Sequence, residues 1–181
     1  MLKYQAALAL IAVCFLSCAK KTAPVSHHSS NSRNAGSSGN STGSRNAVYR
    51  DGNISTATMN SDIINGVNAH RQAMGLPPLR LMPLAASEAA RHSSNMASKK
   101  VPFGHAGFDQ RAINIANEMH GTSSTGENVA FGKMTWKQVI DAWLKSPAHK
   151  ANIEGPFNYT GVGVAKDSRG VIYYTQIFIK K

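Results

Sequence analysis

The stretch TGENVAFGKMTWKQVIDAWLKSPAHKANI, residues 125–153, decides how the chain folds. Its centre is one amphipathic helix. Trp136, Val139, Ile140, Trp143 and Leu144 recur at helical spacing and form a wide apolar stripe, as in a helix laid against a core. Both tryptophans are therefore expected as core anchors. Thr135-Trp136-Lys137-Gln138 matches a capping box, in which the first and last residues each satisfy a backbone N–H of the opening turn. Ser146-Pro147 repeats a start signal, a cap residue followed by proline at the first helical position, so a short second helix is predicted with His149 in its first turn. A charged imidazole is disfavoured beside a helix N-terminus, which predicts a mostly neutral His149 near neutral pH. Upstream, Gly126 and Gly132 bracket Val129-Ala130-Phe131, and irregular backbone packed on the core is expected there. Glu127 and His149 thus fall in turns at the two ends of one helix, where side chains held by rigid elements commonly build sites.

Downstream the period changes from helical to alternating. Residues 159–165 and 171–179 are rich in β-branched and aromatic residues and are separated by Lys166-Asp167-Ser168-Arg169-Gly170, which reads as a hairpin. Gly161 and Gly163 alternate with Val162 and Val164, so one face of the first strand lacks side chains and can admit another element closely. Upstream, Ile63, Val67, His70 and Met74 mark a helix that stops at Gly75 and Pro77-Pro78. A second helix follows Pro83, with Ala85, Ala89, His92 and Met96 on one face. His70 and His92 are expected as hydrogen-bonded core histidines. Asp109 is the expected N-cap of a short helix through Ile113 and Ala116. Helices first and an antiparallel hairpin last imply an α+β domain over residues 59–181.

The N-terminal third is of a different kind. Lys3 followed by an apolar run at residues 6–16 reads as an export signal over residues 1–17, too short to span a bilayer. Phe15-Leu16-Ser17-Cys18 has the form of a bacterial lipobox, with Phe15 in place of the more usual leucine. Lipidation of Cys18 is the expectation, against an ordinary leader with a chance cysteine. The other cysteine, Cys14, lies within the leader, so the domain is predicted to fold without disulfides. Residues 18–58 are dominated by Ser, Asn, Gly and Thr and bury too little to fold, which predicts a flexible tether. His27-His28 within it is read as incidental. The formal net charge is +11, and the tether holds part of it, yet the domain stays basic and suits anionic surroundings such as phospholipid headgroups or acidic envelope polymers. Nucleic acid is not expected as a partner, because the basic residues are scattered and the leader exports the chain.

These landmarks resemble the CAP superfamily of cysteine-rich secretory, antigen 5 and pathogenesis-related proteins, in a bacterial, disulfide-free form. They run from Asn68-Ala69-His70-Arg71 and Gly75-Leu76-Pro77-Pro78-Leu79 through His92-Ser93-Ser94-Asn95-Met96-Ala97, Phe103-Gly104-His105 and Gly126-Glu127-Asn128. They continue with Trp143-Leu144-Lys145-Ser146-Pro147-Ala148-His149, Gly161-Val162-Gly163-Val164 and Tyr174-Thr175-Gln176-Ile177-Phe178. The resemblance implies an α-β-α sandwich, with helices on both faces of a small antiparallel sheet, and a central cavity holding His105, Glu127 and His149. Two neutral imidazoles and a carboxylate can bind a divalent cation such as zinc; the alternative is a metal-free cluster of hydrogen-bonded polar groups. Three positions depart from the family pattern. Ser146 stands where a second cavity glutamate is found in eukaryotic members, Ala148 where glycine is usual, and Glu154 where leucine is common.

Members of the superfamily are associated with sterols and other lipids, with partner proteins and with proposed proteolysis, so the resemblance leaves two classes of function open. One is a non-catalytic binding module, tethered at the outer membrane or cell surface through Cys18, for a lipid, sterol-like or envelope-polymer ligand. The other is a metal-dependent hydrolase with Glu127 as general base on water held by His105 and His149. The second reading is handicapped because one carboxylate must be either ligand or base, and Ser146 substitutes poorly for the missing acid. Neither an orienting third residue nor an oxyanion turn accompanies a Ser146/His149 pair.

Overall fold

The computed structural model describes residues 55–122 and 124–181, together with the backbone of Cys18–Lys21. The leader, the side chain of Cys18 and residues 22–54, including His27-His28, lie outside the described residues. Helix α1, Thr56–Ala73, starts from Ser55, whose side chain accepts the backbone N–H of Thr58, so the helix begins slightly ahead of the expected domain boundary. The next elements are β2, Arg80–Leu81, α2, Pro83–Ala97, and α3, Phe108–Glu118. After β3, Ser124–Gly132, come α4, Trp136–Lys145, α5, Pro147–Ile153, β4, Tyr159–Lys166, and β5, Ile172–Lys180. Among the described residues no helix is long and apolar enough to cross a membrane.

The sheet has the order β1-β3-β5-β4-β2, where β1 is Cys18–Lys21. The expected hairpin forms the β4–β5 pair, and β3 adds antiparallel along the other edge of β5. One pairing differs from an all-antiparallel sheet: β2 lies parallel to β4. Another difference is at the outer edge of β3, where Cys18–Lys21 pairs with Ser124–Glu127 although an unstructured tether is expected from residue 18. A short added strand satisfies backbone groups that an open edge leaves unpaired.

Helices cover both faces, which gives the α-β-α sandwich. On one face Ile63 and Val67 of α1, Val139, Ile140 and Trp143 of α4 and Ile153 of α5 pack on Val162, Val164, Tyr174 and Phe178. The capping box of α4 is present in full, with Gln138 N–H donating to Thr135 Oγ1 and Thr135 N–H to Gln138 Oε1. On the other face Ala85 and Ala89 of α2 and Ile115 of α3 pack on Ile177 and Ile179. Here the strand glycines act as expected. A Cβ on Gly163 would lie 2.0 Å from the backbone nitrogen of Ala90, and one on Gly161 would lie 2.1 Å from that of Ala86, so α2 rests directly on β4.

Two local expectations are corrected. Residues 125–132 are strand rather than irregular backbone, because Glu127 and Asn128, polar residues that hide the alternation, are fully buried and find partners within the fold. Gly126 serves close approach, since a Cβ there would meet Asn152 Oδ1 at 2.8 Å. The N-cap of α3 is Gly107, at φ 74 in the left-handed region, and Asp109 falls in the first turn, where a carboxylate still complements the helix dipole.

Candidate functional site

Strand β3 and helices α3 and α5 bring the chemistry together. Successive residues of a strand point to opposite faces, so Glu127 faces α3 while Asn128 faces α5. Glu127 is 0 % exposed. Its Oε1 accepts from His105 Nδ1 at 2.9 Å and from Arg111 Nη2 at 2.8 Å, and its Oε2 accepts from Arg111 Nε at 2.9 Å. This is the bidentate fork in which arginine binds carboxylates most strongly. A third guanidinium nitrogen, Nη1, donates to the carbonyl of Ala106 at 2.8 Å, locking the loop that carries His105. Burial by itself would raise the Glu127 pKa, but the His105 and Arg111 hydrogen bonds and the Arg111 charge outweigh it and hold the carboxyl below its ordinary value. The Nδ1 contact also sets the tautomer of His105, because a carboxylate can only accept.

Beside this cluster, His92 is 2 % exposed and its Nε2 donates to the carbonyl of Gly104 at 2.7 Å, as expected of a core histidine. Burial and then the charge of Arg111 push its pKa down. His70 is only half-buried and bonds Glu154 at 2.8 Å, which gives the departure at Glu154 a structural role.

The opposite side of β3 is tied to α5. Asn128 Nδ2 donates to the carbonyl of His149 at 3.1 Å, and Asn152 Nδ2 donates to Asn128 Oδ1 at 2.8 Å. Pro147 opens α5 as expected, but Ser146 makes no side-chain cap bond. Ser146 Oγ and both ring nitrogens of His149 are buried without a hydrogen-bond partner among the described residues. Burial, followed by the charge of His105, holds the His149 pKa below its ordinary value. The direction matches the neutral imidazole expected from sequence, although the cause is desolvation rather than the helix terminus.

The structure therefore joins His105 to Glu127 directly and leaves His149 outside that hydrogen-bonded cluster. Among the described residues no three of His, Cys, Asp and Glu gather as a metal-binding group. As they stand, His105, Glu127 and His149 do not compose an open three-ligand set, because both carboxylate oxygens already face a guanidinium. At ~4 Å two unit charges interact by about 4 kcal/mol even at an effective dielectric of 20. A divalent cation brought against Glu127 would meet about twice that repulsion from the Arg111 guanidinium at the same distance. Sequence reasoning missed Arg111, yet a signal was present: it lies three residues after Phe108 and four before Ile115, on the buried face of α3.

Comparison with known proteins places this geometry. YkwD of Bacillus subtilis, an uncharacterised protein, is 33 % identical over 129 residues, which cover 70 % of this chain and 49 % of that protein. The chain thus spans about half the length of the curated relative it matches. A solved extracellular protein of Bacillus anthracis containing an SCP domain superposes with a TM-score of 0.58 at 26 % identity, over 72 % of this chain and 45 % of that one. An outer surface protein of Borrelia burgdorferi superposes with a TM-score of 0.61 at 20 % identity, over 71 % of this chain and 96 % of that one, and shows the shared fold. The model of the cysteine-rich secretory protein family, CAP, matches residues 64–178, the span from α1 to β5 that carries both helical layers and the buried centre, and the chain belongs to that family.

Proposed function

We infer that the protein is a non-catalytic binding module, exported and held at the cell envelope by lipid on Cys18. The observation that carries this reading is Glu127. Its two oxygens are engaged by Arg111 and His105 in a fully buried site, and a general base needs a carboxylate within reach of the proton it takes. The extracellular Bacillus anthracis relative and the Borrelia burgdorferi outer surface protein favour an envelope setting.

A surface concavity that shares no residue with the buried centre offers a place for a ligand. It has a volume of about 510 Å³ and lies between the end of α2 and the β4–β5 turn, lined by Ser94, Ser98, Lys99, Lys166, Ser168 and Arg169 among others. Lys99 stands at φ 59, the left-handed position after a helix where glycine is usual. Asp167 is consumed locally by the Arg169 guanidinium and by the N–H groups of Arg169 and Val171. The rim therefore presents basic groups and hydroxyls, which suits an anionic envelope component better than a neutral sterol-like one.

The test uses the full chain, purified with its lipid in detergent and incubated with anionic envelope lipids, acidic envelope polymers and peptides. Intact ligand is expected to bind, more weakly in Lys99→Glu and Lys166→Glu, with no cleavage product. The rival reading is favoured by His149 and Ser146, which are buried without a side-chain hydrogen-bond partner among the described residues. Turnover of any of these compounds that disappears in His149→Ala would establish it instead.

A further inference from the structure

We propose that the outer edge of β3 at Ser124–Glu127 is a strand-binding site whose occupant is the chain's own Cys18–Lys21, so that the anchored terminus is held on the domain instead of at the far end of a tether. The strand site stands on the backbone pairing alone; only its consequence at the membrane rests on the lipid reading above.

The outer edge of β3 shows how the site is built. An edge strand turns the N–H and C=O of every second residue outward. The carbonyl of Glu127 accepts from Asn152 Nδ2 at 3.3 Å and that of Val129 from Trp143 Nε1 at 3.4 Å. Odd-numbered residues of β3 therefore face away from β5, and side chains of α4 and α5 close the edge beyond Glu127. The preceding stretch is closed by β1, with Cys18 opposite Glu127, Lys20 opposite Thr125 and Lys21 opposite Ser124. Thr125 is one of the outward-facing residues, so Lys20 exchanges both backbone hydrogen bonds with it, while Ala19 and Lys21 turn theirs away. This is strand addition to a sheet edge, in which main-chain bonds give the affinity, supplied here by the same chain.

The pairing changes where the anchor sits. A flexible coil from Cys18 to Ser55 averages roughly 35 Å end to end, whereas opposed residues of a ladder have Cα atoms about 5 Å apart. The register also gives a direction. Strand β1 runs against β3, so its amino end points toward Gly132, which pairs with Ile172 beside the β4–β5 turn. That end of the sandwich carries the basic rim of Lys99, Lys166 and Arg169. Docking thus draws the domain down to the lipid with this rim turned toward it. The contact is only four residues long, and the entropy of closing the intervening loop grows only with the logarithm of its length, so the strand can both dock and release.

The experiment uses the full chain, purified with its lipid in non-ionic detergent, as wild type, Lys20→Pro and Lys21→Pro. Proline removes a backbone N–H, so Lys20→Pro deletes a bond to β3 and Lys21→Pro deletes none. Exchange of the Thr125 amide, followed by NMR, is expected to be slow in wild type and Lys21→Pro and at least about tenfold faster in Lys20→Pro. In vesicles of phosphatidylglycerol and phosphatidylethanolamine, a donor dye on Ser168→Cys is expected to transfer energy to acceptor lipids efficiently in wild type and Lys21→Pro, and weakly in Lys20→Pro.

A single Thr125 exchange rate in wild type and Lys20→Pro, whether fast or slow, would overturn the proposal. The same exchange rate in both proline variants would do so too. Equal energy transfer from vesicle-bound wild type and Lys20→Pro would overturn the consequence at the membrane. A chain that protects Thr125 in the expected pattern yet fails to bind vesicles would support the strand site and refute the lipid anchor instead.

Discussion

On one face of the sheet α1, α4 and α5 press large side chains such as Ile63, Ile140, Trp143 and Ile153 into the core, whereas on the other α2 meets β4 through alanines laid on glycines. Each face also holds one buried arginine, and the two are used differently. Arg71, 1 % exposed, donates to the carbonyls of Pro77, Ile153, Gly155 and Phe157, and so clamps the end of α1 to the loop entering β4. Its guanidinium meets neutral oxygens there, and burial lowers its pKa. Arg111 instead meets a carboxylate. The first arginine gathers neutral backbone carbonyls; the second balances the charge of a buried carboxylate.

The largest effect is expected at the glycine contact. Gly163→Val places a branched side chain where even a Cβ would lie 2.0 Å from backbone, with no room to yield, and a loss of about 4 kcal/mol or more is expected in chemical denaturation. Next comes Arg71→Ala, which strands several buried carbonyls and is expected to cost about 3–5 kcal/mol.

Arg111→Met is expected to cost about 3 kcal/mol at pH 7, and its pH dependence sharpens the contrast. The folded Glu127 pKa lies below its ordinary value of 4.5. The pairing therefore contributes fully above that value and is lost as pH falls through the folded pKa. The gap between wild type and Arg111→Met should accordingly narrow in acid, while the Arg71→Ala gap should not. Denaturation curves from pH 7 to pH 3 test this, and parallel losses for both variants would erase the difference.

The smallest effect is at His149. Its folded pKa lies below the ordinary 6.5, so the unfolded chain takes up the proton first and stability declines as pH drops below about 6.5. His149→Leu is expected to flatten that slope by up to about 1.4 kcal/mol per pH unit. His92, lowered by the same burial, should sustain part of it.

Much of the scaffold is legible in the amino-acid pattern, because its signals are local. The Thr135–Gln138 cap, the apolar stripe of α4, Pro147, the hairpin turn and the bare glycine face of β4 each state their own geometry. Strand β3 is not legible, since Glu127 and Asn128 break the hydrophobic alternation and are satisfied only by groups distant in sequence, Arg111 and Asn152. The candidate site is half legible for the same reason. Glu127 and His149 stand out as polar residues beside turn signals, and His105 and Ser146 enter through the family resemblance, whereas Arg71 and Arg111 read as solvated surface unless their places on apolar helical faces are noticed. Residue type suggests exposure, and only the fold shows that five carbonyls and one carboxylate await them.

The central claim is that Glu127 is a paired carboxylate and not a base, and its own titration tests that most directly. In the full chain labelled with ¹³C at the glutamate carboxyl carbons, the Glu127 resonance, assigned by its loss in Glu127→Gln, is expected to titrate below 4.5 and to move upward in Arg111→Met. A wild-type titration at or above that ordinary value, or one unmoved by loss of the guanidinium, would contradict the claim.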